Sequence, residues 1–227
     1  MNAEPAHELF GDVFVNEIFD TERVDPRIWD RLLAEGWRHC STHFFRHSFD
    51  FTKDGDMCTV LPLRIRLKDF KLTKSQEKIL KRNRDLNFLV RRTFIDEVKH
   101  RLFEQHKARF TYSIPETIHT FISDVAPNRT PCDGYELCVY DGDAMIACSF
   151  FDLGMQTSSG TYAMFDLRES KRSLGIFTMI LEILYAKQLG MEFYYPGYAY
   201  DVASFYDYKK KFVATEFFDW KGKWIDL

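Results

Sequence analysis

The spacing of hydrophobic and polar residues predicts a helix and a β-hairpin in the first third of the chain. Asp25 followed by proline is typical of a helix start, and the helical pattern continues to residue 34. Apolar and polar residues then alternate over 43–52, which predicts a strand. An Asp-Gly turn at 54–55 leads into a second predicted strand over 58–66.

The next segment is predicted to be mainly helical. Thr-Lys-Ser-Gln at 73–76 is a capping box, because a Thr and a Gln three residues apart each satisfy a free amide of the first turn. The helix that it opens ends at about Asn83. The predicted elements that follow are a strand over 87–92, helices over 94–107 and 115–125, and a linker over 127–131.

The second half of the chain has a different pattern, in which short apolar runs are separated by turns. The predicted elements are a hairpin of strands 135–140 and 144–151, a strand over 159–166, a charged loop over 168–172, a helix over 174–189 and a strand over 193–195. This order indicates an α+β fold with a mixed, mostly antiparallel sheet flanked by helices. We expect a small N-terminal α/β subdomain over 1–70 and a larger domain over 71–227, with a basic helical region at 71–110.

Charge is distributed unevenly, although the net charge of the 227 residues is only -3. The segment 64–109 contains fifteen Lys or Arg and six Asp or Glu, whereas the rest contains sixteen and twenty-eight. A basic face on an acidic body favours a polyanionic partner, because clustered Lys and Arg bind phosphates. The alternative is a solvated basic helix without a ligand.

Composition excludes several other classes of protein. No run reaches the ~18 uncharged apolar residues of a membrane span, and the acidic start of the chain does not resemble a signal peptide. We therefore expect a cytoplasmic protein without a membrane partner. The five cysteines form no CxxC pair, which argues against a disulfide framework or a zinc ribbon. We predict no metal and no cofactor.

The element order of the second half is similar to the core of the GCN5-related N-acyltransferase (GNAT) fold. In that fold the loop before the central helix presents backbone N–H groups to a phosphate-bearing acyl donor. The loop here is Arg172-Ser173-Leu174-Gly175, which matches Arg-x-x-Gly. Phe177 stands where the coenzyme A version has Gly or Ala, and we interpret it as a wall against the diphosphate of that donor.

A narrower resemblance rests on several short blocks in a fixed order. They are Pro-Leu-Arg-Ile at 62–65, Ser-Gln with Lys-Arg-Asn-Arg-Asp-Leu over 75–86, Ser159 with Tyr162 and Phe165-Asp166, the Arg172 loop, Tyr-Tyr-Pro-Gly-Tyr at 194–198, and Tyr-Lys-Lys-Lys-Phe at 208–212. Together they resemble the arginyl-tRNA-protein transferases and the related bacterial leucyl-tRNA-protein transferases.

This resemblance implies that an amino acid, arginine or leucine, is moved from aminoacyl-tRNA to the N-terminal amine of a protein or peptide. The transfer would be of the N-degron type. DNA is not an expected partner. The acceptor arm of the tRNA would lie on the basic face and be recognised by its A-form shape. Its phosphates would contact Lys74, Lys78, Lys81, Arg82 and Arg84.

The reaction needs positioning and proton transfer rather than a covalent nucleophile, because an aminoacyl ester is already activated. The candidates for proton transfer and contact with the ester are Asp166, Glu182, Tyr208 and Lys209. The candidates for binding substrate or aminoacyl-tRNA are Arg64, Gln76, Lys81, Arg82, Asn83, Ser159, Tyr162, Arg172, Ser173, Leu174, Gly175, Tyr195, Gly197, Tyr198 and Lys211.

Each candidate also has a purely structural interpretation. Asp166 suits an N-terminal cap, and Glu182 suits a salt bridge to Lys187 or a solvent-facing position. Asn83 suits a C-cap, the tyrosines suit an aromatic core, and 208–211 suits an amphipathic surface helix.

The chain departs from the family at its N-terminal cysteine set, since Cys58 and Val60 precede the Pro-Leu-Arg-Ile block without a cysteine cluster. This leaves the acceptor protein open. A replacement metal group is one interpretation of a set of nearby residues, and a packed histidine-phenylalanine face is the other. The set is His39, Cys40, His43, His47 and Cys58.

Two other functions compete with aminoacyl transfer. One is an acyl-CoA N-acetyltransferase of the GNAT fold, and the other is a relative that binds tRNA or a degron without catalysis. The Arg172 loop and the Tyr-Lys block at 208–212 favour an enzyme.

Overall fold

The computed structural model describes residues 13–52, 54–111 and 113–227. The first twelve residues, on which part of the argument against a signal peptide rests, lie outside this range. The strands are β1 (Asn16–Asp20), β2 (Arg38–Cys40), β3 (His43–His47), β4 (Phe49–Phe51), β5 (Met57–Arg66), β6 (Asn87–Arg92), β7 (Asp133–Asp141), β8 (Ala144–Leu153), β9 (Thr157–Phe165), β10 (Phe193–Tyr200), β11 (Thr215–Phe218) and β12 (Trp224–Asp226).

The helices pack on these strands or connect them. The α-helices are α1 (Pro26–Ala34), α2 (Lys74–Arg82), α3 (Glu97–Lys107) and α4 (Leu174–Gln188), and the 3₁₀ helices are Ile118–Thr120, Leu167–Arg172 and Phe205–Lys211. None of the helices described here is both long and apolar enough to cross a bilayer.

Two helix starts follow the predicted capping chemistry. The Asp25 carboxylate accepts a hydrogen bond from the Arg27 amide at 2.8 Å. At the start of α2, Thr73 Oγ1 accepts from the Gln76 amide at 3.3 Å and Gln76 Oε1 accepts from the Thr73 amide at 2.9 Å. This confirms the capping box and gives Gln76, a predicted binding residue, a structural function.

The strands form two sheets in the described part of the chain. The smaller has the order β1-β3-β2, and the larger has the order β12-β11-β5-β10-β9-β8-β7-β6, with β4 paired to β5. All of the pairs are antiparallel except β9 with β10. The predicted mixed, mostly antiparallel sheet flanked by helices is therefore confirmed.

The single parallel pair opens the large sheet. β9 and β10 pair from Thr157 with Phe193 to Ser159 with Tyr195, and the pairing ends there. The register between β10 and β5 shifts between Tyr194 and Gly197. Beyond these residues the two strands separate, which leaves space between them at the level where α4 begins.

Helix α4 packs on the large sheet with most of its surface. Its residues Ile180 and Ile183 contact a cluster that includes Ile65 and Tyr194, while Phe177 belongs to a second cluster with neighbouring sheet residues. Phe177 is only 3% exposed. Its side chain is part of the core and does not stand in the loop, so the interpretation of Phe177 as a wall against coenzyme A was wrong.

Two element predictions were also wrong. The helix predicted over 115–125 is reduced to the 3₁₀ turn Ile118–Thr120, because Ile118 and Ile122 are buried against the sheet while Ser123 bonds its own backbone neighbour Val125. The strand predicted over 43–52 is divided at Ser48, whose hydroxyl accepts from the Val15 amide at 2.8 Å. Consequently β3 joins the small sheet and β4 joins β5.

The chain up to residue 70 contributes to both sheets, since β5 lies between β10 and β11 in the larger one. The division into 1–70 and 71–227 stays a prediction.

Candidate active site

A cleft of about 420 Å³ lies where β9 and β10 separate, and it is open to solvent. The start and middle of α4 form one wall, and the 3₁₀ helix Phe205–Lys211 forms another. Five of the predicted site residues line this cleft, namely Tyr162, Gly175, Glu182, Tyr208 and Lys209. Residues from three distant parts of the sequence therefore meet at one place.

Glu182 provides a buried carboxyl group in the cleft wall. Its side chain is enclosed, and burial raises its pKa to about 7, although the hydrogen bond from the Tyr194 hydroxyl favours the charged form. The Tyr194 hydroxyl donates to Glu182 Oε2 at 2.6 Å. The alternatives of a salt bridge to Lys187 and an exposed position are wrong, because Lys187 Nζ instead donates to the Phe70 carbonyl at 3.1 Å.

Lys209 places an amine on the opposite side of the cleft. Its Nζ donates to the Tyr198 carbonyl at 3.1 Å. Loss of hydration, with a smaller effect of the nearby Arg38 charge, lowers its pKa to about 7. An amine with this pKa is substantially neutral at physiological pH and is able to accept a proton. A Cβ on Gly197 would lie 3.3 Å from Lys209 Nζ, so Gly197 leaves room for the amine.

Arg38 is a residue of this site that the sequence did not reveal. Its guanidinium donates to Ser159 Oγ and to the Gly160 carbonyl, at the point where β9 leaves β10. Ser159, predicted to bind substrate, is fully buried and acts here as a partner of Arg38. Arg38 comes from the three-residue strand β2, which has too few residues for a sequence pattern.

The Arg172 loop is held by ion pairs. Arg172 forms salt bridges with Asp85 at 2.9 Å and with Glu169 at 3.0 Å. The Asn83 amide donates to the Arg172 carbonyl at 2.9 Å and to Ile79 at 3.0 Å, so it is a C-cap that also ties α2 to the loop. Ser173 has a left-handed backbone conformation, and its side chain does not cap α4. The Arg172 guanidinium is thus occupied by contacts within the protein, while Gly175 lines the cleft.

The basic helix α2 reaches this loop. Its lysines and arginines are exposed, namely Lys74, Lys78, Lys81, Arg82 and, just beyond the helix, Arg84. Arg82 Nη1 donates to the Lys171 carbonyl at 2.5 Å. The apolar residues Ile79 and Leu80 pack toward α4. The predicted cations therefore share one helix, and that helix is joined to the mouth of the cleft.

Several predicted residues lie away from the cleft. Asp166 caps the 3₁₀ turn by accepting from the Arg168 amide, and the Arg168 side chain is the main cause that lowers the Asp166 pKa. Arg64 pairs with Glu216 at 2.7 Å and lies over the rings of Phe193 and Trp224. Both residues stabilise the fold. Proton transfer by Asp166 and substrate binding by Arg64 stay predictions.

The tyrosines of β10 are divided between the two faces of the sheet. Tyr194 reaches the cleft, whereas Tyr195 is buried against Trp224 on the other side, and burial raises its pKa to about 12. The Tyr198 hydroxyl donates to the Gly36 carbonyl at 2.7 Å. Leu174 is in the core and Lys211 is exposed at the end of its 3₁₀ helix.

Among the residues that the structure describes, the predicted ligands of the alternative metal site do not cluster around one point. His43 faces Asp20 and His47 packs on Tyr198. His39 instead lies with Cys132 and Asp152, whose donor atoms are within 4.8 Å of one another. Both ring nitrogens of His39 already face oxygen acceptors, the Ser41 carbonyl and the Asp152 carboxylate.

A carboxyl group and an amine that face one cleft beside a helix start are groups that suit proton transfer in an enzyme. Residues 88–219 match the family described as arginine-tRNA-protein transferase, C terminus. The chain belongs to this family. It is an aminoacyltransferase that uses charged tRNA and a protein acceptor.

Curated relatives support the same conclusion over most of the chain. The aspartate/glutamate leucyltransferase of Shewanella sp. (strain MR-7) is 27% identical over 203 residues, which is 85% of this chain and 79% of that protein. The protein of the same name from Campylobacter jejuni subsp. jejuni serotype O:6 is 26% identical, over 86% of this chain and 81% of that protein.

The solved structures that are similar to this chain are more distant. L-PGS from Bacillus licheniformis is 12% identical, with a TM-score of 0.48, over 80% of this chain and 52% of that chain. A GCN5-related glucosamine N-acetyltransferase region of a fungal multi-domain protein is 14% identical, with a TM-score of 0.47, over 85% and 22%.

Proposed function

We propose that the protein transfers leucine from charged tRNA to proteins whose first residue is acidic. The observation that carries the choice of leucine is the lining of the cleft, where the apolar side chains of Phe150, Met179 and Pro196 lie among polar groups that are mostly uncharged. Glu182 is the one acidic residue among the described residues that line it. An arginyl group needs a counter-charge for its guanidinium as well as a partner for its α-amine.

Glu182 suits the α-amine of the leucyl group. The carboxyl group is buried in the cleft wall with the Tyr194 hydroxyl on one oxygen, which leaves its other oxygen for a ligand. A positively charged amine would favour the charged carboxylate and lower the Glu182 pKa from about 7. The apolar side chains of the lining, Phe150, Met179 and Pro196, then receive the leucine side chain.

Lys209 suits the proton transfer. The neutral α-amine of the acceptor attacks the ester carbonyl, and the new C–N bond leaves a proton on that nitrogen. Lys209 Nζ accepts this proton. The bond between the carbonyl carbon and the ribose oxygen then breaks, and the proton passes to that oxygen. Removing and returning a proton in this way needs a group with a pKa near the working pH, and Lys209 has one at about 7.

The charge on α2 suits the acceptor arm of the tRNA. The exposed cations of this helix lie at the end of the protein where the Arg172 loop meets the cleft. Phosphate contacts of this kind position a nucleic acid without reading its sequence. The preference for an acidic acceptor rests on the name of the curated relatives and on the fixed cation Arg38 beside Gly160.

The test is transfer of labelled amino acid from separately charged tRNAs. The protein is incubated with tRNA carrying leucine or arginine, and with peptides that begin with Asp, Glu, Asn or Ala. We expect leucine to be incorporated into the Asp and Glu peptides. Transfer of arginine alone would contradict the choice of donor, and equal transfer to the Asn peptide would contradict the acidic acceptor. A reaction with acetyl-CoA in place of charged tRNA would favour the acetyltransferase alternative.

A further inference from the structure

Arg109 and Phe205 form an aromatic and cationic pair beside the cleft that the transfer chemistry does not use. Phe205 begins the 3₁₀ helix that carries Tyr208 and Lys209, and its ring is 68% exposed. The Arg109 guanidinium lies 4.5 Å from the centre of that ring. The pair therefore offers an exposed aromatic face and a positive charge side by side.

The pair is connected to the cleft through Tyr208. The ring centres of Phe205 and Tyr208 are 6.1 Å apart, and Tyr208 lines the cleft. Burial raises the pKa of Tyr208 to about 12, and the charge of Arg109 opposes this shift. The cation therefore lies close enough to the cleft to act on a residue of its wall.

Arg109 forms no salt bridge within the described part of the chain, and its guanidinium lies beside aromatic rings. Its guanidinium also lies 5.5 Å from the Phe165 ring centre and 5.6 Å from that of Phe110. Two arginines near the cleft mouth already have partners, since Arg172 pairs with Asp85 and Arg82 donates to the Lys171 carbonyl. A guanidinium that lacks a carboxylate partner at the edge of a cleft is available for a phosphate.

We propose that Phe205 and Arg109 bind the terminal nucleotide of the donor, the base stacking on the Phe205 ring and the 5′-phosphate contacting Arg109. This rests on the proposed transfer from charged tRNA. Aromatic rings that alternate with cations are the usual platform for single-stranded nucleotides, because every base has a face to stack. The ester is attached to the ribose of that nucleotide, so binding the nucleotide at Phe205 and Arg109 places the ester beside Tyr208 and Lys209.

An acidic residue of the acceptor is the competing ligand for Arg109. It is disfavoured because a carboxylate would pair with Arg109 without stacking on the exposed ring of Phe205, whereas a nucleotide would contact both groups. The two ligands are separated by measuring KM for the donor and for the acceptor independently.

The experiment compares Phe205→Ala, Phe205→Trp and Arg109→Gln, with Phe51→Ala as the matched control. Phe51 is 70% exposed and lies on β4, which is not part of the cleft. Each variant is assayed with leucyl-tRNA and with leucyl-adenosine, a minimal donor that lacks the 5′-phosphate. Thermal unfolding of each variant checks the fold.

Phe205→Ala should raise KM about tenfold for both donors, because the lost stacking concerns the base itself. Phe205→Trp should restore KM. Arg109→Gln should raise KM for leucyl-tRNA and leave that for leucyl-adenosine unchanged. Neither change should alter KM for the Asp peptide, and Phe51→Ala should resemble the wild type.

An active enzyme whose KM for leucyl-tRNA is unchanged in both variants would overturn this inference and leave the proposed function intact. A rise in KM for the Asp peptide alone in Arg109→Gln would assign Arg109 to the acceptor and overturn it as well. A wild-type protein that transfers from no charged tRNA would overturn the proposed function first.

Discussion

Two regions of the molecule bury ionisable groups, and they treat the charges in opposite ways. Under β6, Lys99 and Glu136 are both completely buried and lie 3.2 Å apart, and Arg91 Nε contacts the same carboxylate at 2.6 Å. In the cleft, Glu182 has a neutral partner, the Tyr194 hydroxyl, and Lys209 has a backbone carbonyl.

The difference between the regions indicates that the ion-paired groups stabilise the fold, whereas the groups in the cleft suit proton transfer. Charges that compensate each other are costly to separate, because removing one leaves the other buried and unpaired. Groups that are buried with neutral partners move toward their uncharged forms, and for Glu182 and Lys209 the result is a pKa of about 7 for each. Such groups exchange protons at physiological pH, so changing them should affect turnover more strongly than stability.

The largest expected effect is on turnover. Lys209→Met should lower kcat for leucyl transfer by about 10²- to 10⁴-fold, because that is the usual contribution of a positioned proton acceptor. Its Tm should not fall, since an amine that is poorly solvated is replaced by an apolar chain of similar length. Steady-state kinetics and thermal unfolding measure the two quantities. A kcat within a factor of three of the wild type would remove Lys209 from the proton transfer.

The matching change in the paired region is Lys99→Met. It leaves Glu136 buried with fewer compensating charges, and the free energy of unfolding should fall by about 3–5 kcal/mol. Urea unfolding measures this, and kcat per folded molecule should stay at the wild-type value. A stable Lys99→Met variant with lost activity would reverse the comparison between the two regions.

The pH dependence of stability gives a smaller effect with a defined sign. The folded pKa of Glu182 is raised from 4.5 to about 7, so its contribution to stability is fully present below pH 4.5 and is lost as the pH rises through 7. Glu182→Gln removes this loss. The variant should gain stability relative to the wild type between pH 5 and pH 8, by roughly 1 kcal/mol or more, as measured by urea unfolding at the two pH values. An equal difference at both would contradict the raised pKa.

The smallest effect concerns a buried titratable group that lies outside both regions. His106 packs on Phe165, and burial lowers its pKa to about 4. Because the folded pKa is lower than the unfolded value of 6.5, stability is lost as the pH falls from 6.5 toward 4. His106→Gln should flatten the Tm over this interval and leave kcat unchanged at pH 7.5. A Tm that falls equally in both proteins would show that other groups cause the acid sensitivity.

The sequence predicted the elements whose signals are local. The capping box of α2 and the helix that starts with Pro26 need only neighbouring residues, and both are present. Chain order alone predicted that a helix separates the last strands of the core. The helix over 115–125 failed because its apolar spacing is satisfied by a single turn packed on the sheet.

The site was predictable only where side-chain chemistry stands out in its segment. Glu182 is conspicuous in an apolar helix, and Lys209 follows a tyrosine in a recognisable block. Arg38 was missed because its function depends on Ser159 and Gly160, more than 120 residues away. Gln76, Asn83 and Arg172 were predicted as ligand contacts; the structure shows their hydrogen bonds and ion pairs within the protein, and their contacts with a ligand stay predictions.

The position of β5 has a consequence for how the protein is made. This strand lies between β10 and β11, which are translated long after it. Until those two strands leave the ribosome, a ten-residue strand rich in buried apolar side chains has only the short strand β4 as a partner, along its first three residues. The nascent chain therefore carries an aggregation-prone segment through most of its synthesis, and the large sheet is completed only when the C-terminal strands are available.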